Sequence, residues 1–123
     1  MYHVGSPPSE RVKNMKIDFN AINAMTIPGM NGGAGEMTCR MYNDESYRII
    51  PTAIHPGGSI GLHTQNSGDD LNYILSGTGK AICDGAEEDL YPGVMHICPK
   101  GSAHSIVNTG SEDLVMLTVV VAK

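Results

Sequence analysis

No stretch of this 123-residue chain approaches the roughly 18 consecutive apolar residues of a membrane span. The opening segment, MYHVGSPPSERVKNMK, carries Pro and charged residues where a secretion signal needs an apolar run, so a soluble, cytoplasmic protein is expected. Basic residues are few: 8 Lys and Arg stand against 13 Asp and Glu, for a formal net charge of −5. With no Lys/Arg cluster to meet a phosphate backbone, nucleic acid is excluded as an expected partner. The three cysteines, Cys39, Cys83 and Cys98, are odd in number and show no CxxC spacing. That argues against both a disulfide framework and a thiolate zinc site, and leaves reduced, mostly buried thiols as the expectation. The glycine-rich PGMNGGAGE lacks the Lys and the Ser or Thr of a phosphate loop, and reads as a strand connection. Helical periodicity is scarce too, since no segment beyond residues 9 to 16 keeps a 3.6-residue apolar stripe. The 8 methionines are scattered, which suits core filling and not a copper cluster.

What the chain does have is turns and short apolar runs. Its 15 Gly and 7 Pro gather in turn signals such as HPGGS, NSGDD, SGTG, CDGAEED, CPKGS and NTGSED. Between them lie EMTCRMY, YRIIPTAI, LNYILSG, KAICD, VMHIC, HSIVN and LVMLTVVVA, rich in β-branched and apolar residues. Evenly spaced short strands with turn chemistry between them predict an all-β, antiparallel sandwich or barrel with little helix, at a length that suits one domain. Residues Leu114 to Ala122 are apolar on both faces of the implied strand, so something covers the outer face. A second sheet of the same chain or a homodimer partner would serve. The polar, Pro-containing N-terminus, residues 1–15, is either a frayed arm or a strand exchanged with a partner.

Two segments carry chemistry. In PGGSIGLHTQNSGDDLNYILSGTG, His63 and Gln65 stand two apart on a strand and so project to one side. A turn then reverses the chain, and Asp70 opens the next strand near the same spot. In GVMHICPKGSAHSIVN, a Pro/Gly turn delivers His104 onto a further strand. Two neutral imidazoles and a carboxylate are similar to the two-His, one-carboxylate set that leaves positions open on a divalent ion, with Gln65 as a weak fourth donor.

These segments resemble the two signature motifs of the cupin family. The first is G, five residues, H-x-H, three or four residues, E, six residues, G. It is matched in spacing from Gly57 to Gly77, with Gln65 in place of the second His and Asp70 in place of Glu. The second is G, five residues, P-x-G, two residues, H, three residues, N. It is matched at Gly93, Pro99, Gly101, His104 and Asn108, so the two motifs span residues 57–108. The resemblance implies an antiparallel double-stranded β-helix, or jelly-roll barrel, of six to eight strands over residues 1–123. It also implies a metal near one mouth, commonly in a homodimer. Gln is a poorer donor than imidazole, and Asp reaches about 1.5 Å less far than Glu, so the surroundings must bring the carboxylate into range.

The expected metal ligands are therefore His63, Gln65, Asp70 and His104, around one divalent transition ion (Fe, Mn, Ni, Zn or Co). Asn72 and Ile74 share strand parity with Asp70 and are expected to line the pocket, with Tyr73 facing away. His96 occupies a position where related barrels place a pocket-lining side chain, and is the candidate for proton transfer. The implied function is a metal-dependent cupin acting on a small polar, oxygen-bearing metabolite, with oxygenase, isomerase and decarboxylase chemistry all open. The alternative is a non-catalytic barrel binding a sugar or other polyol.

Overall fold

The computed structural model describes residues 15–123. The anticipated N-terminal arm, Met15 apart, lies outside the described residues.

Among the described residues, eleven strands form in chain order: β1 (Met25–Pro28), β2 (Glu36–Cys39), β3 (Tyr42–Asn43), β4 (Tyr47–Ile54), β5 (Ser59–Thr64), β6 (Gly68–Ser76), β7 (Gly79–Cys83), β8 (Ala86–Leu90), β9 (Met95–Cys98), β10 (Ala103–Asn108) and β11 (Leu114–Ala122). Every pairing is antiparallel. One sheet runs β1-β2-β4-β11-β6-β9 with β3 beside β4, and the other runs β5-β10-β7-β8. Strands β4 to β11 thus supply two facing four-stranded sheets, the antiparallel sandwich that the turn spacing predicts in the jelly-roll form that the motif resemblance implies, and β1 to β3 extend one of them. Helix is confined to short 3-10 turns at Phe19–Ala21 and Met30–Gly32 among the described residues, and no helix there is long and apolar enough to cross a membrane.

One segment departs from the sequence reading. CDGAEED looks like a turn, yet only Asp84 and Gly85 turn, at φ 49° and 84°, as a two-residue hairpin with both central residues left-handed does. The acidic residues that follow form β8, at the edge of its sheet. Charge on an edge strand is a common guard against edge pairing, and here it hid the strand. β1 was likewise masked by the Pro/Gly signal beside it.

The core sits between the sheets. Ile54, Ile74, Leu114 and Met116 of the large sheet meet Ala81, Leu90 and Ile106 of the small one; each fully buried Leu or Ile contributes about 1.5–3 kcal/mol. Along β11 the buried residues alternate as Leu114, Met116, Thr118 and Val120. Its register sets up three inward rows across β4, β11 and β6: Thr52–Met116–Ile74, Ile50–Thr118–Asn72 and Arg48–Val120–Asp70. The inner face therefore grades from closed core to polar floor along a single strand.

Two local devices hold that floor's surroundings. The loop after β1 lies so close to β5 that a Cβ on Gly61 would collide with the carbonyl of Asn31, which brings Met30 and Asn31 to the barrel mouth. Asn108, closing the second motif, donates from Nδ2 to the carbonyls of Ile54 and Glu112, both at 2.8 Å, while its Oδ1 accepts the Gly110 amide. It ties the β10–β11 turn to β4 and stands away from the ligand set.

Candidate functional site

Register brings the two motifs together. His63 on β5 stands opposite His104 on β10, with ring centroids 4.7 Å apart and planes at 60°. Gln65, just past β5, is tied to the turn before β10 through its backbone: its N–H donates to Ser102 O at 2.8 Å, and Gly101 N–H donates to the Gln65 carbonyl at 2.7 Å. Gly101 has φ 94°, in the left-handed region that favours glycine. Asp70 comes from the facing sheet, 6% exposed, with Oδ2 3.1 Å from His104 Nε2.

Hydrogen bonds decide which nitrogens are free. His63 Nδ1 lies 2.8 Å from Gly61 O, and a carbonyl only accepts, so Nδ1 carries the proton. In the neutral ring Nε2 then holds a lone pair, 3.2 Å from Gln65 Oε1. Behind His104 a longer chain acts the same way. Glu88 Oε1 lies 2.7 Å from His96 Nδ1, and His96 Nε2 lies 2.9 Å from His104 Nδ1. A carboxylate at one end makes His96 Nδ1 the donor, so His96 Nε2 accepts from His104 Nδ1–H. His104 Nε2 is left with a lone pair facing the Asp70 carboxylate.

With both rings neutral, four electron-pair donors therefore face one another in two pairs, His63 with Gln65 and His104 with Asp70. His104 Nε2 and Asp70 Oδ1 are buried without a hydrogen-bond partner, a costly state unless something cationic meets them. The donor set suits a divalent transition ion. Among the described residues, however, no three His, Cys, Asp or Glu side chains form a ready-made ion cage. The arrangement is two pairs, one of which uses an amide.

The pairs open onto a cavity of about 350 Å³, at the small end of ligand pockets. Asn72 lines it, with Oδ1 accepting from the Thr118 hydroxyl at 2.7 Å and Nδ2 unpartnered. Ile74, expected beside it, is fully buried in the core one row deeper, and Tyr73 points outward at 40% exposure. His96 is sealed behind His104 and does not line the cavity. His55, outside the cavity lining, bridges Thr38 Oγ1 at 2.7 Å and Asp113 Oδ1 at 2.9 Å.

Sequence reasoning missed Glu88 and Arg48. Glu88 sits in the acidic run mistaken for a turn. Arg48 shares inward parity with Ile50 and Thr52, and that parity was the signal available.

The cysteines are free, with Cys39 and Cys98 buried and Cys83 half-buried. The Cys83 and Cys98 sulfurs are 3.9 Å apart. Burial first, then the neighbouring Cys83 thiol, pushes the Cys98 thiol up to about 12, and burial raises Cys39 as well. Neither thiol suits a nucleophile's role.

Residues 52–120 match the cupin domain family, Cupin_2, over more than half of the chain, and the chain belongs to that family. It is 28% identical over 113 residues to a Thermotoga maritima protein named oxalate-binding protein, covering 87% of this chain and 93% of that one. A crystal structure of a predicted oxalate decarboxylase from Thermotoga maritima superposes with a TM-score of 0.81 at 29% identity, over 89% of this chain and 100% of that one. The cupin domain of Schizosaccharomyces pombe Cnp3 gives a TM-score of 0.71 at 14% identity, over 88% of this chain and 74% of that one, a likeness of fold alone.

Proposed function

We propose that this cupin is a metal-dependent protein acting on a small polar, oxygen-bearing metabolite, with one divalent transition ion held by His63, Asp70 and His104 and tuned by Gln65. The observation that carries this reading is the orphaned His104 Nε2, buried and aimed at an Asp70 oxygen 3.1 Å away. A bound divalent ion supplies Lewis acidity to an oxygen donor in its open positions. The chain's own residues do the rest: Gly61 O orients His63, and the Glu88–His96 pair orients His104. Since His96 is sealed from the cavity, its part is positioning and not contact with substrate. The name of the Thermotoga maritima relative, oxalate-binding protein, supports a short oxo-acid as ligand and favours a second reading, capture without turnover.

The outer face of the large sheet pairs with a second copy of the chain. Tyr73, Leu75, Met95 and Ile97 are 40%, 54%, 48% and 49% exposed there, with no ionic side chain among them.

The test is metal content by plasma mass spectrometry on untagged protein, for wild type, His63→Ala and His104→Ala. Near-stoichiometric Fe, Mn, Ni, Zn or Co in wild type and its loss in both variants is the expected result. Wild type that neither carries nor takes up any of these ions would overturn the metal reading.

A further inference from the structure

The metal reading leaves one cation of the cavity without a task. Among the described residues, Arg48 is the only Lys or Arg that lines it, and none of the ion pairs there uses the Arg48 guanidinium. Its place follows from register: Arg48 and Asp70 flank Val120 in one inward row, on β4 and β6 either side of β11. Strands lie about 4.8 Å apart, so the two Cα atoms are roughly 9.6 Å apart. A positive group on a long side chain and the lone-pair cluster at Asp70 thus look onto one small volume, with only Val120 between them on the floor.

A second observation comes from the next row, Ile50–Thr118–Asn72. Asn72 is 1% exposed and lines the cavity. The Thr118 hydroxyl holds its Oδ1, so Nδ2 is turned away with no acceptor. A buried amide donor and an unpaired guanidinium both call for an acceptor-rich, negatively charged group. A carboxylate satisfies both, and a planar carboxylate matches the guanidinium fork in particular. A neutral polyol leaves the charge uncompensated.

We propose that Arg48, with Asn72 beside it, forms an anion subsite that receives the far carboxylate of a short dicarboxylate whose near end sits at the His63–Asp70–His104 cluster. The inference rests on the metal reading for that near end. It makes Arg48 the residue that separates dicarboxylates from monocarboxylates and from polyols.

The experiment is calorimetric titration of the Mn(II)-loaded full chain with oxalate and malonate, and with acetate and glycerol as controls, for wild type, Arg48→Met and Arg48→Lys. Titration of the metal-free protein with Mn(II) runs alongside. Wild type is expected to bind a dicarboxylate well above acetate and to ignore glycerol. Arg48→Met is expected to weaken dicarboxylate binding about 10- to 100-fold, as loss of a charge-assisted pair does, while its Mn(II) affinity stays within about twofold. Arg48→Lys, which keeps charge without the fork, should fall between, and it carries the test if Arg48→Met does not fold. Equal dicarboxylate affinity in wild type and the folded variants overturns the subsite and leaves the metal reading standing, as does acetate binding as tightly as oxalate. Wild type that takes up no Mn(II) and no dicarboxylate overturns both.

Discussion

An imidazole presents a lone pair to an ion only if its other nitrogen holds the proton, so what stands behind a histidine matters as much as what stands before it. For His104 that support is a chain ending at Glu88, whose side chain is 53% exposed while the His96 between them is wholly buried. Replacing Glu88 by Ala removes the acceptor that fixes His96, and with it the preference of His104 for keeping its Nδ1 proton. Glu88→Ala should therefore weaken Mn(II) or Zn(II) binding about 10- to 100-fold, the usual effect of losing such an outer partner. Glu88→Gln, which keeps an acceptor oxygen, should retain most of the affinity. Competition against a fluorescent chelator measures both, and a melting temperature of the metal-free variants near that of wild type separates positioning from general damage. Equal affinity for wild type and Glu88→Ala would show that the chain does not act on the site. Much of this site was legible beforehand, because strand parity aligns His63 with Gln65 and a hairpin returns Asp70 to them. Glu88 was not, since its contact with His96 joins two strands through space with no period to betray it.

At the scale of the element, turn chemistry located most strands, and the misreading of β8 shows where that method stops. Asp-Gly marks a turn correctly, but Ala86–Leu90 reads as loop because its polar and acidic residues face solvent at a sheet edge. A strand with a single buried residue leaves little hydrophobic pattern. Charge also fastens the start of β6. Asp69 Oδ1 accepts the Lys100 amide at 2.9 Å, and Asp69 Oδ2 lies 2.7 Å from Lys123 Nζ, so the start of β6 is joined to the turn before β10 and to the chain end after β11. Lys123 first, then the Lys100 amide, holds the Asp69 carboxyl below the ordinary carboxylate range. A folded-state value below the unfolded one gives stability that is fully present above the ordinary range and is lost as pH falls through the folded value. Asp69→Asn should accordingly melt lower than wild type near about pH 6, with the gap closing towards about pH 3. Salt should narrow the gap as well, because the pair is exposed to solvent. Thermal unfolding across that range is the check, and a gap that widened on acidification would contradict the sign.

At the scale of the molecule, β11 carries two apolar faces and the fold buries one of them. Leu114 and Met116 go inward to the core, whereas Val115, Leu117 and Val119 look outward, in register with Ala53, Pro51 and Ile49 of β4 and with outer residues of β6. Tyr73 stands opposite Leu117 on one side and Met95 on the other, and Leu71 opposite Val119 and Ile97. The result is an apolar surface four strands wide on which Val121, too, is 37% exposed. Patches of this extent mark interaction sites, and a sheet face that pairs with its own copy through a two-fold axis buries every such residue twice over. An interface of roughly 800 Å² per partner is the usual requirement for a specific complex. Wild type is thus expected to sediment as a dimer at micromolar concentration. Leu75→Asp combined with Ile97→Asp, which puts charges onto the exposed β6–β9 side of the face, should give monomers. The folded barrel should survive, because neither side chain belongs to the core, and metal content should stay at the wild-type level because both point away from the site. Sedimentation velocity of the two proteins, with metal analysis of the same samples, decides the matter. Wild type that remains monomeric across the concentration range would leave the apolar face to some other partner.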